Sequence, residues 1–304
     1  MDSRVFGVLL TLLFATSIQA SPKIEHWQTE NGAKVYFVPA PELAMVDITV
    51  AFDAGAARDG AKSGLALLTN AMLNEGAAGL DTDQIAIEFE DVGAQFGNSS
   101  QRDMAILSLR TLTDKLAFEP ALSMFNNVLT EPDFPSESFE RIKKQMMIGL
   151  QAEKQSPSAI SSRAFYGNLY GEHPYGSMPA GTEHSVSQLT LESLKSFYQQ
   201  YYVAKNAVVV LVGALDNAQA KIVAEQLLSG LAEGEAAKAL IPVMPLSQGK
   251  TIAIEHPSTQ THIVMGQTGI SRGDADYFSL YVGNHILGGS GLVSQLSNEV
   301  REKR

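Results

Sequence analysis

The chain has 304 residues, 45% hydrophobic and 18% charged, enough for a large core spread over one to three domains. Its 33 acidic against 22 basic residues leave a net charge of -11, which speaks against a nucleic-acid binder, whose phosphate contacts need clustered Lys and Arg. No Cys is present, so disulfides and thiol catalysis are excluded and stability must come from packing.

Arg4, the apolar run over residues 5–18 and Ile18-Gln19-Ala20 before Ser21 form a secretory signal pattern. Residues 1–20 are therefore expected to be a signal peptide, with the periplasm as destination if the exporter is bacterial. The alternative is an uncleaved anchor, against which the run is shorter than the ~20 apolar residues of a membrane span.

Strands are expected at 24–28 and 34–38, flanking the hairpin signal Asn31-Gly32, and at 46–52, where apolar residues alternate. An Ala- and Gly-rich loop, 53–62, leads into the helix around which the chain is organised, residues 63–76. Ser63 can cap its start and Gly76 can close its end in the left-handed conformation. Leu65, Leu68, Met72 and Leu73 recur at helical spacing and imply one buried face. Thr82 is expected to cap a second helix with Ile85, Phe89 and Val92 on one side. Strands 95–99 and 105–112 come next, joined by a turn at Gln101-Arg102-Asp103. Helices 115–129 and 136–154 are separated by Pro132 and Pro135, and another helix spans 158–170.

The next stretch reads Tyr170-Gly171-Glu172-His173-Pro174-Tyr175-Gly176, with Gly181-Thr182 beyond it. His173 has no His or Glu at helical spacing and reads as a loop hydrogen-bonder rather than a metal ligand. A helix at 191–202 capped by Thr190, a buried strand at 207–212 and a helix at 217–231 complete this half. Residues 230–249 are rich in Ala, Glu, Gly and Pro and read as a linker. Beyond it a strand at 263–266 and a helix at 277–287 weakly repeat the earlier passage from strand 48–52 into helix 63–76.

Other chemistries find little support. Gly288-Gly289-Ser290-Gly291 lacks the Gly-Lys-Ser/Thr ending of a phosphate loop and reads as a turn between helices. Ser161, Ser162 and Ser290 lack a Gly-x-Ser-x-Gly setting. The six histidines include no i,i+4 pair. At the end of the chain, Glu299-Val300-Arg301-Glu302-Lys303-Arg304 reads on its own as a solvated helix end.

Segment 63–76 resembles the inner helix of the insulinase/pitrilysin (M16) metallopeptidases, where a Gly-x-Ala precedes His-x-x-Glu-His. Here Gly64-Leu65-Ala66 precedes Leu67-Leu68-Thr69-Asn70-Ala71. The family's two zinc histidines fall on Leu67 and Ala71, its general base falls on Asn70, and its third ligand, a Glu, falls near Ile148 or Gly149. None of these can serve, since zinc needs imidazole, thiolate or carboxylate. The His-Pro-Tyr-Gly run and the order of elements are similar to the same family. So is the terminal Arg-Glu-Lys-Arg, in which Arg301 matches an Arg that helps hold a substrate carbonyl; the family's Tyr would lie beyond Arg304.

The resemblance implies an α+β fold of two related domains, each a mostly antiparallel sheet with helices packed on it. The expected boundaries are 21–230 for the first domain without a zinc motif, 231–249 for the linker and 250–304 for the start of a second, truncated domain. It also implies a function. Some exported members work as two-chain enzymes in which one chain carries His-x-x-Glu-His and the other supplies the Arg and Tyr. The expected role is the second: a non-catalytic, substrate-binding subunit, with zinc in a homologous partner chain, an extended peptide as substrate, and no metal of its own. A peptide-binding scaffold without catalytic part is one alternative. A zinc peptidase in its own right is another, which the residues at 67, 70 and 71 argue against.

Overall fold

The computed structural model describes residues 23–304, so the signal segment 1–20 lies outside the described residues. Asn31-Gly32 lies in the turn between antiparallel β1 (Glu25–Gln28) and β2 (Lys34–Pro39). In β3 (Met45–Phe52) the alternation is realised: Val46, Ile48, Val50 and Phe52 are buried, and the residues between them face the other side of the sheet. A short turn at Ala56–Arg58 leads to α1 (Leu65–Ala71). A two-stranded ribbon, β4 (Gly76–Ala77) with β5 (Leu80–Asp81), precedes α2 (Thr82–Glu90). The chain continues through β6 (Gln95–Ser100), β7 (Ala105–Leu112), α3 (Lys115–Thr130), α4 (Ser136–Glu153) and α5 (Pro157–Tyr170). After α6 (Glu183–Ser187) and α7 (Leu191–Tyr201), β8 (Ala207–Gly213) returns to the sheet and leads into α8 (Asn217–Leu228).

The main sheet has the order β1-β2-β8-β3-β7-β6. Only β2 and β8 pair in parallel, with Val35 opposite Val209; every other neighbouring pair is antiparallel. The last strand in sequence thus inserts between the second and third, which accounts for its unbroken Val-rich run: a central strand is covered on both edges and packed from at least one face. One face of the sheet lies beneath the helices. Phe37, Ile48, Leu107, Leu109 and Leu211 pack there with Phe125 and Leu129 of α3 and Leu227 of α8. This part of the chain is α+β, a mostly antiparallel sheet with helices on it.

Local details differ from the sequence reading at the helix ends. Asp81, not Thr82, caps α2: its carboxylate accepts from the Gln84 N–H at 2.9 Å, and Gln84 Oε1 accepts from the Asp81 N–H at 3.0 Å. This reciprocal pair satisfies two donors at once, which a Thr cap one residue later could not do. Gly76 does not close α1. It sits in β4, where a side chain would run into the Pro135 ring.

The chain divides into two compact units. The first reaches Ile241 and includes Ser258–His262; the second comprises Pro242–Pro257 and Ile263–Arg304. Among its described residues the second unit holds no strand, so the strand expected at 263–266 is not formed and the repeat of 48–52 has no structural counterpart. Ile263 and Met265 stay exposed, having no sheet to join. The unit does hold α9 (Tyr277–Asn284), which passes into a widened π-type turn at His285–Gly289. Residues 292–304 are not one regular helix but a 3-10 turn, Gly291–Val293, and a π-type segment, Ser297–Glu302. No helix among the described residues is long and apolar enough to cross a membrane.

Candidate functional site

The site is built from α1 outwards. Leu65, Leu68, Met72 and Leu73 are buried, as their spacing predicts. The helix start is made differently from the expectation. Gly64, at φ +100°, is the N-cap and Ser63 contributes no side-chain cap. The capping acceptor is Asp59, five residues upstream. Its Oδ2 accepts from the Gly64 N–H at 2.8 Å and its Oδ1 from the Ala66 N–H at 2.7 Å. One carboxylate thereby satisfies two of the donors that a helix start leaves open. Asp59 is buried, and burial pushes its carboxyl up to about 7 although both backbone hydrogen bonds favour the charged form.

Around this helix the structure gathers other stretches that the sequence singled out. Ser185 Oγ, just past Gly181-Thr182, donates to Ser63 O at 2.7 Å, which ties the second glycine-bearing motif to the start of α1. A side chain at Gly64 would press on Val186 and Ala180, so the two segments approach as closely as they do because residue 64 has none. His173 is buried in its loop. The Tyr175 N–H donates to its Nδ1 at 3.1 Å, so the ring carries its proton on Nε2, which donates to Ile241 O at 2.9 Å. Arg102, in the turn between β6 and β7, donates to Ser177 O at 2.6 Å and lies 4.4 Å from the centre of the Tyr166 ring. Burial, ahead of a hydrogen bond with Asp103, pushes the Tyr175 phenol up to about 12.

The motif positions themselves point to different surroundings. Leu67 and Ala71 lie one turn apart on the half-buried side of α1. Asn70 points inward and is 2% exposed. Asn98 of β6 fixes this end of the helix, its Nδ2 donating to Asn70 O at 2.7 Å and to Asn74 Oδ1 at 3.0 Å. Burial drives the neighbouring Tyr202 phenol far up, an effect that the Asn70 side chain opposes. Ile148 on α4 is exposed, and Gly149 beside it faces open space. Nearer the core, Arg141 of α4 forms an ion pair with the buried carboxylate of Glu75, which is thereby taken up.

Zinc does not fit this set. Leu67, Ala71 and Ile148 have no donor atom, Asn70 offers a buried amide, and no group of three or more His, Asp or Glu among the described residues could hold a metal ion. Arg301 lies in the second unit, with an exposed side chain 3.9 Å from the Glu302 carboxylate. Beside α1, β6 forms one edge of the main sheet and, among the described residues, pairs only with β7. The sequence reading missed Asp59, Asn98, Arg102 and the Glu75–Arg141 pair. Asn98, Arg102 and the Glu75–Arg141 pair act between segments far apart in the chain, where spacing rules do not reach, and Asp59 reaches α1 through a loop from five residues upstream.

Comparison with known proteins places this geometry. Residues 34–183 match the family model for insulinase, peptidase family M16, and residues 188–304 match the model for the peptidase M16 inactive domain. The crystal structure of a peptidase M16 inactive domain from Pseudomonas fluorescens superposes with a TM-score of 0.87 at 42% identity, covering 93% of this chain and 68% of that one. A protease from Helicobacter pylori shares the fold at 20% identity, with a TM-score of 0.66 over 74% of this chain and 54% of the other. An uncharacterized zinc protease of Rickettsia felis is 23% identical over 275 residues, 90% of this chain and 66% of the relative. The chain thus spans about two thirds of the length of that protein. With the fold, the order of elements and both halves of the sequence in agreement, the chain belongs to peptidase family M16, the insulinase family.

Proposed function

We propose that this chain is the non-catalytic, substrate-binding subunit of an exported two-chain peptidase, paired with a homologue that carries His-x-x-Glu-His and holds the zinc. One observation carries the reading: the helix that matches the family's inner helix is packed in the core and capped over Leu65–Ala71, while Leu67, Asn70 and Ala71 stand where its metal chemistry would be. Retention of a well-built helix without its chemistry favours a role in binding. Arg301 is assigned to the substrate. When a peptide carbonyl is attacked, negative charge builds on its oxygen, and a guanidinium held in place stabilises that charge better than an ammonium because its planar fork fixes direction. Export rests on the Arg4 n-region and the apolar run behind it, and N-terminal sequencing of the exported protein is expected to find cleavage after Ala20.

The test is peptide cleavage by this chain, by the zinc-bearing homologue and by their mixture, with sizing to monitor assembly. The mixture is expected to cleave and this chain alone to be inert. Arg301→Ala should lower turnover of the mixture by ~10²–10³ and leave assembly intact. Wild-type turnover by the Arg301→Ala mixture would reduce Arg301 to a surface charge. A second reading is favoured by the open edge of β6 beside α1: an extended peptide could add to that edge with no catalytic consequence. Tight peptide binding by this chain alone, with no homologue able to restore cleavage, would select it.

A further inference from the structure

Residues 232–241 form neither helix nor strand, and nearly all of their side chains are exposed. Their backbone is nevertheless held along its length. The Ala204 N–H donates to Ala232 O at 2.9 Å and the Lys205 N–H to Glu233 O at 3.0 Å, while Lys205 Nζ pairs with the Glu233 carboxylate at 2.6 Å. At Gly234, φ +60°, the strap passes so close to Val203 that a Cβ would lie 2.4 Å from that side chain. Three side chains then take hold in succession. Asn206 Oδ1 accepts from the Ala237 N–H at 3.0 Å, Arg58 Nη1 donates to Lys238 O at 2.7 Å, and His173 Nε2 donates to Ile241 O at 2.9 Å.

All three are fixed before they reach the strap. Asn206 is buried and its Nδ2 donates to Asp53 O at 3.1 Å and Tyr201 O at 2.7 Å. Arg58 is bound to the Asp53 carboxylate, with Nε 2.6 Å from Oδ1. His173 has its proton placed on Nε2 by the Tyr175 N–H. Groups locked in this way bind without losing further rotamer freedom. Order in the strap is therefore supplied by the rest of the first unit, mostly through hydrogen bonds to the strap's backbone, with the Glu233 carboxylate and the missing Cβ of Gly234 as the strap's own contributions.

We infer that Asn206, Arg58 and His173 are positioning residues, a latch that fixes where the chain leaves its first unit at Ile241. A consequence for peptide turnover, through the placement of the residues after Ile241, rests on the proposed function; the latch itself does not. Trypsin tests it on the full chain, because cleavage after Lys238 requires the strap to come free. In the wild type this site should be cut slowly. His173→Ala should speed cutting after Lys238 by about tenfold, the effect of losing one hydrogen bond worth about 1.4 kcal/mol, while cutting after Lys195 stays unchanged. His173→Gln keeps an N–H donor of similar reach and should restore resistance. Ala237→Pro removes the strap's own donor to Asn206 without touching the first unit's side chains, and should also expose Lys238. Unchanged cutting after Lys238 in both His173→Ala and Ala237→Pro, or no recovery in His173→Gln, overturns the latch. Failure of every mixture to cleave peptide would count against the proposed function alone, since the trypsin readout uses no partner.

Discussion

Two apolar helices of similar length meet opposite fates in this chain. In α1, Leu65 and Leu68 are buried, and the sheet, α4 and α7 surround them. In α9, Phe278, Leu280, Tyr281 and Val282 are all exposed, Phe278 by 75%. Composition does not separate them, because both are rich in large apolar residues. The difference is the partner surface. An apolar stripe becomes a stabilising element only where a complementary face removes it from water, and the first unit supplies a sheet for that purpose while the described residues of the second hold no strand at all. Among the described residues of the second unit, Ser294 alone is buried.

Leu68→Ala puts the largest strain on this contrast. A fully buried Leu in a packed core loses its transfer energy and leaves a cavity, so the variant should unfold with about 3–5 kcal/mol less stability in urea titration. A loss below about 1 kcal/mol would mean that α1 packs loosely and that its motif positions are not held by the core.

Asp59 gives the next effect, and it is pH-dependent. In the folded chain burial holds its proton up to about 7; unfolded, it is released near 4. Between these values the folded state binds a proton that the unfolded state has lost, so stability falls as pH rises through the window. From pH 4.5 to 7 the fall should reach about 3 kcal/mol, at 1.4 kcal/mol per unit. Asp59→Asn cannot ionise and should lose this slope, while keeping only one acceptor for the two N–H donors of Gly64 and Ala66. Urea unfolding of both proteins at several pH values isolates the contribution, because other carboxylates cancel in the difference. Parallel curves for the two proteins would remove Asp59 from the account.

Asn98→Ala should cost about 1–2 kcal/mol, since Asn98 Nδ2 serves two acceptors at the end of α1, at Asn70 O and Asn74 Oδ1. Its thermal midpoint against that of the wild type provides the check.

These residues also mark how far the sequence could be read. The buried face of α1, the alternation in β3 and the Val-rich run of β8 were legible because each is a periodic signal carried by neighbours in the chain. That Leu67 and Ala71 share one side of α1 was legible because a helix places i and i+4 together whatever surrounds it. Asp59 was missed because the rule for helix caps inspects the adjacent residue, here Ser63, while the acceptor arrives through a loop from five residues away. The insertion of β8 between β2 and β3, and the hold on residues 232–241, are pairings between distant segments that no local pattern encodes. For the strand expected at 263–266 the local pattern was present and misled, because pairing needs a neighbour and the described residues offer none there.

Phe278→Ala carries the smallest expected effect and the sharpest test of the contrast. A side chain already 75% in water has little transfer energy to lose and leaves no cavity. Its removal should change the stability of this chain by less than about 0.5 kcal/mol, against several for Leu68→Ala in the same urea titration. Both residues are large and apolar and both sit in short helices, so side-chain type cannot explain a difference between the two variants; burial can. A loss at Phe278 comparable to that at Leu68 would show that α9 has a packing partner in solution, and the comparison between the two helices would fail.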